Sequence, residues 1–361
     1  MPKKKTPIML LASTLILSSC AYNGKSKTFV LLLEKTGVHE IQKGLEGIIK
    51  SNSQVIQDLE QKQKNQWLRF VVVGDTISNQ NITYRNLLAK ISQLNPPPEF
   101  IVNLGDFTGG KSEQYSYYLD TIKNYPHPII HVMGNHEIDN GGERISRAVF
   151  GETDFFLDYN NLRMIFMGTD KQGFAQERLE WLEDRLKDAY PAKKIFLTHR
   201  FPVEPFKELF HGIYSLFVHK QENEEKMLDL LDENNVAVAF YGHMHRHYEK
   251  IYRGTLMVMT GGGGQRNDLD PRVKEPLSTK ENHFTLVDIM TEGEIQGVLT
   301  CINKNNNPLF ISSFYQSGNN GNNDEVSTHI GPYQEQDKNF TRPLYISKLY
   351  REYQEKNSSK K

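Results

Sequence analysis

Residues Pro128-Ile129-Ile130-His131-Val132-Met133-Gly134-Asn135-His136-Glu137 decide how the chain is to be read: an apolar run ends in a glycine, followed by an amide, an imidazole and a carboxyl group. A short apolar run reads as a strand, so the polar cluster falls on the loop at its carboxyl end. The pattern recurs on both sides. Upstream, Arg69 to Val73 leads into Gly74-Asp75, and Phe100 to Leu104 into Gly105-Asp106. Downstream, Lys194 to Leu197 leads to His199, and Val236 to Tyr241 into Gly242-His243-Met244-His245, with Arg163 to Met167 as a further apolar run. Segments 81–94, 112–124, 176–188 and 223–234 carry helical periodicity. Strands alternating with helices pack as an α/β layered domain, and such sheets gather binding side chains beyond the carboxyl ends of their strands.

Each element alone says little. A lone His199 is more often a satisfied core or surface histidine, and His243, His245 and His247 alone could be a solvated tract. Five elements in order, each after a predicted strand, reverse those odds. Oxygen donors from Asp and Asn with imidazole nitrogens suit Mn, Fe or Zn, and the absence of Cys among them argues against a closed structural zinc site.

In this order the segments resemble the signature of the calcineurin-like metallophosphoesterase family, D-x-H, G-D, G-N-H-E/D, H and G-H-x-H, over about residues 68 to 265. Residues Phe155 to Asp170 and Trp181-Leu182-Glu183 resemble the family's middle strands and following helix. The resemblance implies a four-layer αββα sandwich with two mixed sheets. It implies hydrolysis of phosphomonoesters or phosphodiesters at a dinuclear centre whose metal-bridging hydroxide is the nucleophile. By the same resemblance Asp106, Asn135, His199 and His243 hold one of two divalent ions, and Asp75, Asp106 and His245 the other. His136 would donate a proton to the leaving oxygen, oriented by Asp106 or a nearby acid, and Glu137 would fix the loop.

The sequence departs from the signature where the family has its first His, two residues after the Asp: here stands Ile77, which cannot ligate metal. Asn79 or Gln80 on the following loop could fill the place. The loss motivates a rival reading, a catalytically silent, metal-binding surface scaffold. Arg200 and Arg246 adjoin candidate ligands and could meet phosphate, though exposed salt bridges are as reasonable. Gly261 to Gly264 allow close approach to the site or form a plain loop. His131 reads as core and His247 as a flank.

With 43 basic and 44 acidic residues the formal charge is −1, so no nucleic-acid partner is indicated. The start of the chain separates into Lys3-Lys4-Lys5, an apolar run from Ile8 to Leu17, and Ser18-Ser19-Cys20. That is the form of a secretory signal, with an apolar run too short to span a membrane. Leu17-Ser18-Ser19-Cys20 resembles a bacterial lipobox, which implies a signal peptide over 1–19, a lipidated Cys20 and a membrane partner. The protein is then expected in the cell envelope, exported and lipid-anchored. Ala21 after the cysteine resembles the outer-membrane class if the organism is Gram-negative. Of the two cysteines Cys301 alone would remain, as a packed strand residue.

Residues 20–66 read as an extension with one amphipathic helix over 38–62, built on Val38, Ile41, Leu45, Ile48, Val55 and Leu59, with Asn52 in the remaining slot. Its spacing allows a second rival, a structural lipoprotein with coiled-coil contacts, although Gly44, Gly47, Ile49 and Ile56 favour packing on the catalytic domain. The phosphoesterase domain is expected over 67–302, closed by strands His283 to Ile289 and Ile295 to Ile302. Asn-rich 303–307 and Gly/Asn-rich 317–323 suggest that 303–361 is a polar, partly disordered tail.

Overall fold

Strand β1 (Trp67–Val73) is apolar on both faces because both are covered. Leu68, Phe70 and Val72 point into the core between two sheets, while Val71 and Val73 point outward under helices. The structure is a computed structural model that describes residues 29, 32–33, 37–77, 82–170, 173–191, 193–209, 223–264, 278–279, 281–292, 295–316 and 326–332. The signal segment 1–19, Cys20, Asn79, Gln80 and the 317–323 stretch lie outside the described residues.

The expected strands and helices form close to their predicted bounds. In chain order the elements are α1 (Val38–Leu45), α2 (Asn52–Gln61), β1, α3 (Ile82–Ile91), β2 (Phe100–Asn103), α4 (Ser112–Ile122) and β3 (Ile129–His131). Next come α5 (Asn135–Ile138), α6 (Gly142–Phe150), β4 (Asp154–Tyr159), β5 (Leu162–Met167), α7 (Gln176–Lys187), β6 (Lys193–Thr198), α8 (Glu224–Glu233) and β7 (Val238–Tyr241). Strands β8 (His247–Tyr252), β9 (Thr255–Thr260), β10 (Ser278–Thr279), β11 (His283–Met290), β12 (Ile295–Asn303), β13 (Pro308–Gln316) and β14 (Val326–Pro332) follow.

Among the described residues two mixed seven-stranded sheets result, ordered β14-β13-β12-β11-β1-β2-β3 and β10-β8-β9-β7-β6-β5-β4. Strands β1-β2-β3 run parallel, as do β5-β6-β7, and the outer members pair antiparallel. The central core lies between the sheets. Helices α1, α3, α4 and α6 cover the outer face of the first sheet, and α7 and α8 that of the second. This is the four-layer αββα sandwich.

Two expectations are corrected. The single helix over 38–62 is two helices: Gly47 takes a left-handed φ of 73°, and Ser51 opens α2 with a capping box closed by Gln54. Ile41, Leu45, Val55 and Leu59 are all buried against the same chain, so the apolar stripe leaves little for a coiled-coil partner. Asn52 fills its slot by bonding to the strand beneath. Its Nδ2 donates to the His131 carbonyl and its Oδ1 accepts from the His131 amide, both at 2.8 Å.

The tail beginning at 303 is corrected as well, because β13 and β14 continue the first sheet. The Asn-rich 303–307 stretch is the β12–β13 turn: Asn303 Oδ1 accepts from the Asn305 and Asn307 amides at 3.0 Å each, and Asn306 takes a left-handed φ. Asn is suited to turns for the reasons that also make it common in disordered chain.

Candidate metal centre

The parallel strands put their carboxyl ends at one edge of the sandwich. Asp75 follows β1, Asp106 follows β2 and Asn135 follows β3, while His199 follows β6 and His243 follows β7 across the gap. His245 comes two residues before β8. Asp75, Asp106, His243 and His245 all have left-handed φ, between 48° and 73°. Non-glycine residues held there cost about 1–3 kcal/mol each, and such strain persists where the surroundings over-determine it.

Four of the predicted donors face one another. His199 Nδ1 donates to the Leu104 carbonyl at 2.9 Å, which turns Nε2 inward. That Nε2 lies 3.1 Å from Asn135 Oδ1, 3.2 Å from His243 Nδ1 and 3.2 Å from Asp106 Oδ2. Beside them, Asp75 accepts the His243 amide on Oδ2 at 2.8 Å. Its other oxygen, Oδ1, is buried without a hydrogen-bond partner among the described residues, 3.6 Å from His245 Nε2. A buried carboxylate oxygen left unpaired is costly unless a cation or proton meets it.

Glu137 holds the loops that carry these donors. Its Oε2 accepts the Asp106 and Gly134 amides and its Oε1 the Thr108 amide, each at 2.8 Å. Burial and then the Asp106 charge push Glu137 up to about 8. Burial likewise raises Asp75 well above the carboxylate range; His199 pulls it back and Asp106 adds to the rise. Burial opposes a charge on His199, but Asp106 and Asp75 outweigh it and bring the imidazole up to about 9. Burial, with the His199 and Arg200 charges, drives His243 well below its ordinary value. Three buried carboxyl groups thus meet beside the His199 and His243 imidazoles, and the donor set fits divalent cations that displace protons on binding.

His136 stands at the rim, its side chain 39% exposed. Its amide donates to Asp106 Oδ1 at 2.9 Å, while Nδ1 lies 3.7 Å from Asp139 and Nε2 3.8 Å from Asp106 Oδ2.

Residues 68–247 match the family model described as calcineurin-like phosphoesterase. Through them the chain belongs to that family. A protein of Arcobacter nitrofigilis described as a probable glycerophosphodiester phosphodiesterase is 28% identical over 225 residues, covering 55% of this chain and 78% of that protein. A probable cyclic nucleotide phosphodiesterase of Coxiella burnetii is 22% identical over 178 residues, 47% of this chain and 69% of that protein. The purple acid phosphatase of yellow lupin (Lupinus luteus) seeds shares the fold with a TM-score of 0.55 at 17% identity. The match covers 76% of this chain and about half, 55%, of the lupin chain. As a calcineurin-like phosphoesterase the chain is a hydrolase of phosphate esters, in a family that works with divalent metals.

Within this phosphoesterase the Ile77 amide donates to the Asp106 carbonyl at 2.9 Å, so the loop keeps its course without the histidine. Arg246 is buried, which removes the exposed salt bridge considered for it. Arg200 is half-buried; burial lowers its pKa while Asp106 and Asp170 pull it up. The four glycines give close approach, since a Cβ on Gly261 would sit 2.2 Å from Asp75 Oδ2. His131 is in the core, stacked on Phe150 with ring centroids 3.8 Å apart. Asp139 was missed as a named residue; its spacing of three from His136 was the available signal.

Proposed function

We propose that the chain is a dinuclear metal-dependent phosphoesterase that prefers small phosphodiesters. The observation that carries the reading is the three donors, from Asp106, Asn135 and His243, within 3.2 Å of His199 Nε2, beside the unpaired Asp75 Oδ1. Asp106, Asn135, His199 and His243 would hold one ion, Asp75, Asp106 and His245 the second, with Asp106 shared. When bound, such a pair polarises phosphate oxygens and supplies a nucleophile at neutral pH. His136 holds the proton for the leaving oxygen, and Asp139 steadies its Nδ1. Arg200, next to His199 in sequence and in electrostatic reach of Asp106, would neutralise a phosphate oxygen.

The preference for diesters rests on the two relatives described as phosphodiesterases. Hydrolysis of a chromogenic diester, a chromogenic monoester and a glycerophosphodiester by Mn-, Fe- or Zn-loaded protein tests it. Turnover of the diesters at least tenfold above the monoester is expected. The silent-scaffold reading, favoured by Ile77, predicts metal saturation with no turnover of any of the three.

Export and a lipid on Cys20 complete the proposal, motivated by the lipobox-like Leu17 to Cys20. Mass analysis of protein from a bacterial membrane fraction should find a diacylglyceryl-modified N-terminal Cys20. Soluble protein with an unmodified N-terminus elsewhere would remove the anchor.

A further inference from the structure

Near its β8 end the core between the sheets changes from apolar to polar. Strand pairing places His283 and Cys301 on one face of the β11–β12 pair, and that face also carries Val287, Ile289 and Leu299 of the inter-sheet core. Opposite them, His247 and Glu249 alternate along β8 of the second sheet. His247, His283 and Cys301 are all fully buried, and the ligand atoms they offer lie within 4.8 Å of one another.

We propose that His247, His283 and Cys301 form a structural site for one thiophilic divalent ion, zinc foremost, that ties the two sheets together. It is separate from the candidate dinuclear centre, whose donors include no sulfur. The hydrogen bonds around the two imidazoles have the form that metal-ligating histidines take. His283 Nδ1 donates to the Glu281 carbonyl at 2.7 Å, which leaves a lone pair on Nε2. That Nε2 is buried with no hydrogen-bond partner among the described residues. His247 Nε2 meets Glu249 Oε1 at 2.7 Å, and the Ser312 hydroxyl donates to Glu249 Oε2. A carboxylate or carbonyl behind each imidazole fixes its tautomer and raises its basicity toward a metal.

Donor type selects the ion: two imidazole nitrogens and a thiolate suit zinc and exclude magnesium and calcium. Charge balances too. A divalent ion meets one thiolate and the Glu249 carboxylate, with the thiol proton released on binding. The site also backs the catalytic edge. A Cβ on Gly262 would lie 2.1 Å from His283 Nδ1, while the adjoining Gly261 packs on Asp75 and His245.

Cobalt tests the site, because sulfur ligation gives a near-ultraviolet charge-transfer band that nitrogen and oxygen donors do not. The full chain, stripped of metal and reloaded with Co²⁺, should show that band. Cys301→Ser should abolish it and bind one zinc fewer per chain, whereas Cys20→Ser should keep both. His283→Gln, which retains a donor to the Glu281 carbonyl, should weaken zinc binding at this site at least tenfold while the catalytic ions stay bound. It keeps the test open if Cys301→Ser fails to fold. Absence of the band from the unaltered protein, its loss in Cys20→Ser, or unchanged zinc content in His283→Gln would each overturn the site. Loss of hydrolysis alone would bear on the dinuclear reading and leave this one standing.

Discussion

The two halves of the candidate dinuclear centre are built differently. On one side four donors from four loops already face each other, with Asn135, His243 and Asp106 all within 3.2 Å of His199 Nε2. On the other, Asp75 Oδ1 lies 3.6 Å from His245 Nε2, and the loop position that would complete the set is Ile77. The first half is tied down by Glu137 and the Leu104 carbonyl. The second rests on two side chains plus the shared Asp106. Pre-organised donors lose less freedom on binding, so one ion should be held tightly and the other loosely, with turnover following the loose one.

Four variants break or sharpen that contrast. The largest effect is expected from His136→Ala, which removes the proposed proton donor and no ligand. Turnover should fall about 10²- to 10⁴-fold with metal content unchanged, and a better leaving group should recover part of it. Metal loss as deep as in His243→Ala would instead make His136 part of the metal cradle. Glu137→Leu comes next, since it orphans the buried amides of Asp106, Thr108 and Gly134. At about 1–3 kcal/mol per orphaned group, the variant should lose at least about 3 kcal/mol in urea denaturation. The tight metal event should weaken more than the loose one; the reverse order would detach Glu137 from the closed half.

Ile77→His addresses the open half. It should tighten the weaker event in calorimetric titration roughly tenfold or more and leave the tight one alone. Two equally tight ions in the unaltered protein would abolish the asymmetry. The smallest effect concerns His131, the last residue of the strand that leads to Asn135. Burial lowers its pKa from 6.5 to about 3, so the folded state keeps it neutral while the unfolded chain takes up a proton below pH 6.5. Its contribution is whole above that pH and lost as pH falls towards 3, at roughly 1 kcal/mol between pH 6.5 and 5.5. Stability of His131→Gln should lack this slope; an identical slope would place the dependence elsewhere.

Much of this architecture was legible because apolar runs and their terminal polar residues coincide in sequence. The strand before Asn135 and the helix over Gln176–Lys187 fall within a few residues of their expected bounds. What escaped was local backbone choice. The β8–β9 hairpin went unread because its signal is two residues, Arg253 and Gly254, at left-handed φ. The break at Gly47 hid behind an unbroken apolar period, and β13 behind an asparagine turn that has the composition of disordered chain. At the centre, donor identity came from the motif, but the orphaned Asp75 oxygen and the nearness of Asp139 to His136 depend on how loops fold back.

Asn52 gives the N-terminal extension a further consequence. Strand β3 is the outermost strand of its sheet, and the Asn52 amide takes up its His131 N–H and C=O as a neighbouring strand would. A protein shortened to begin at residue 66 would present that bare edge to other copies of itself. The extension therefore works as a guard against edge-to-edge association, and trimming it to simplify the enzyme would trade a tidy domain for a sticky one.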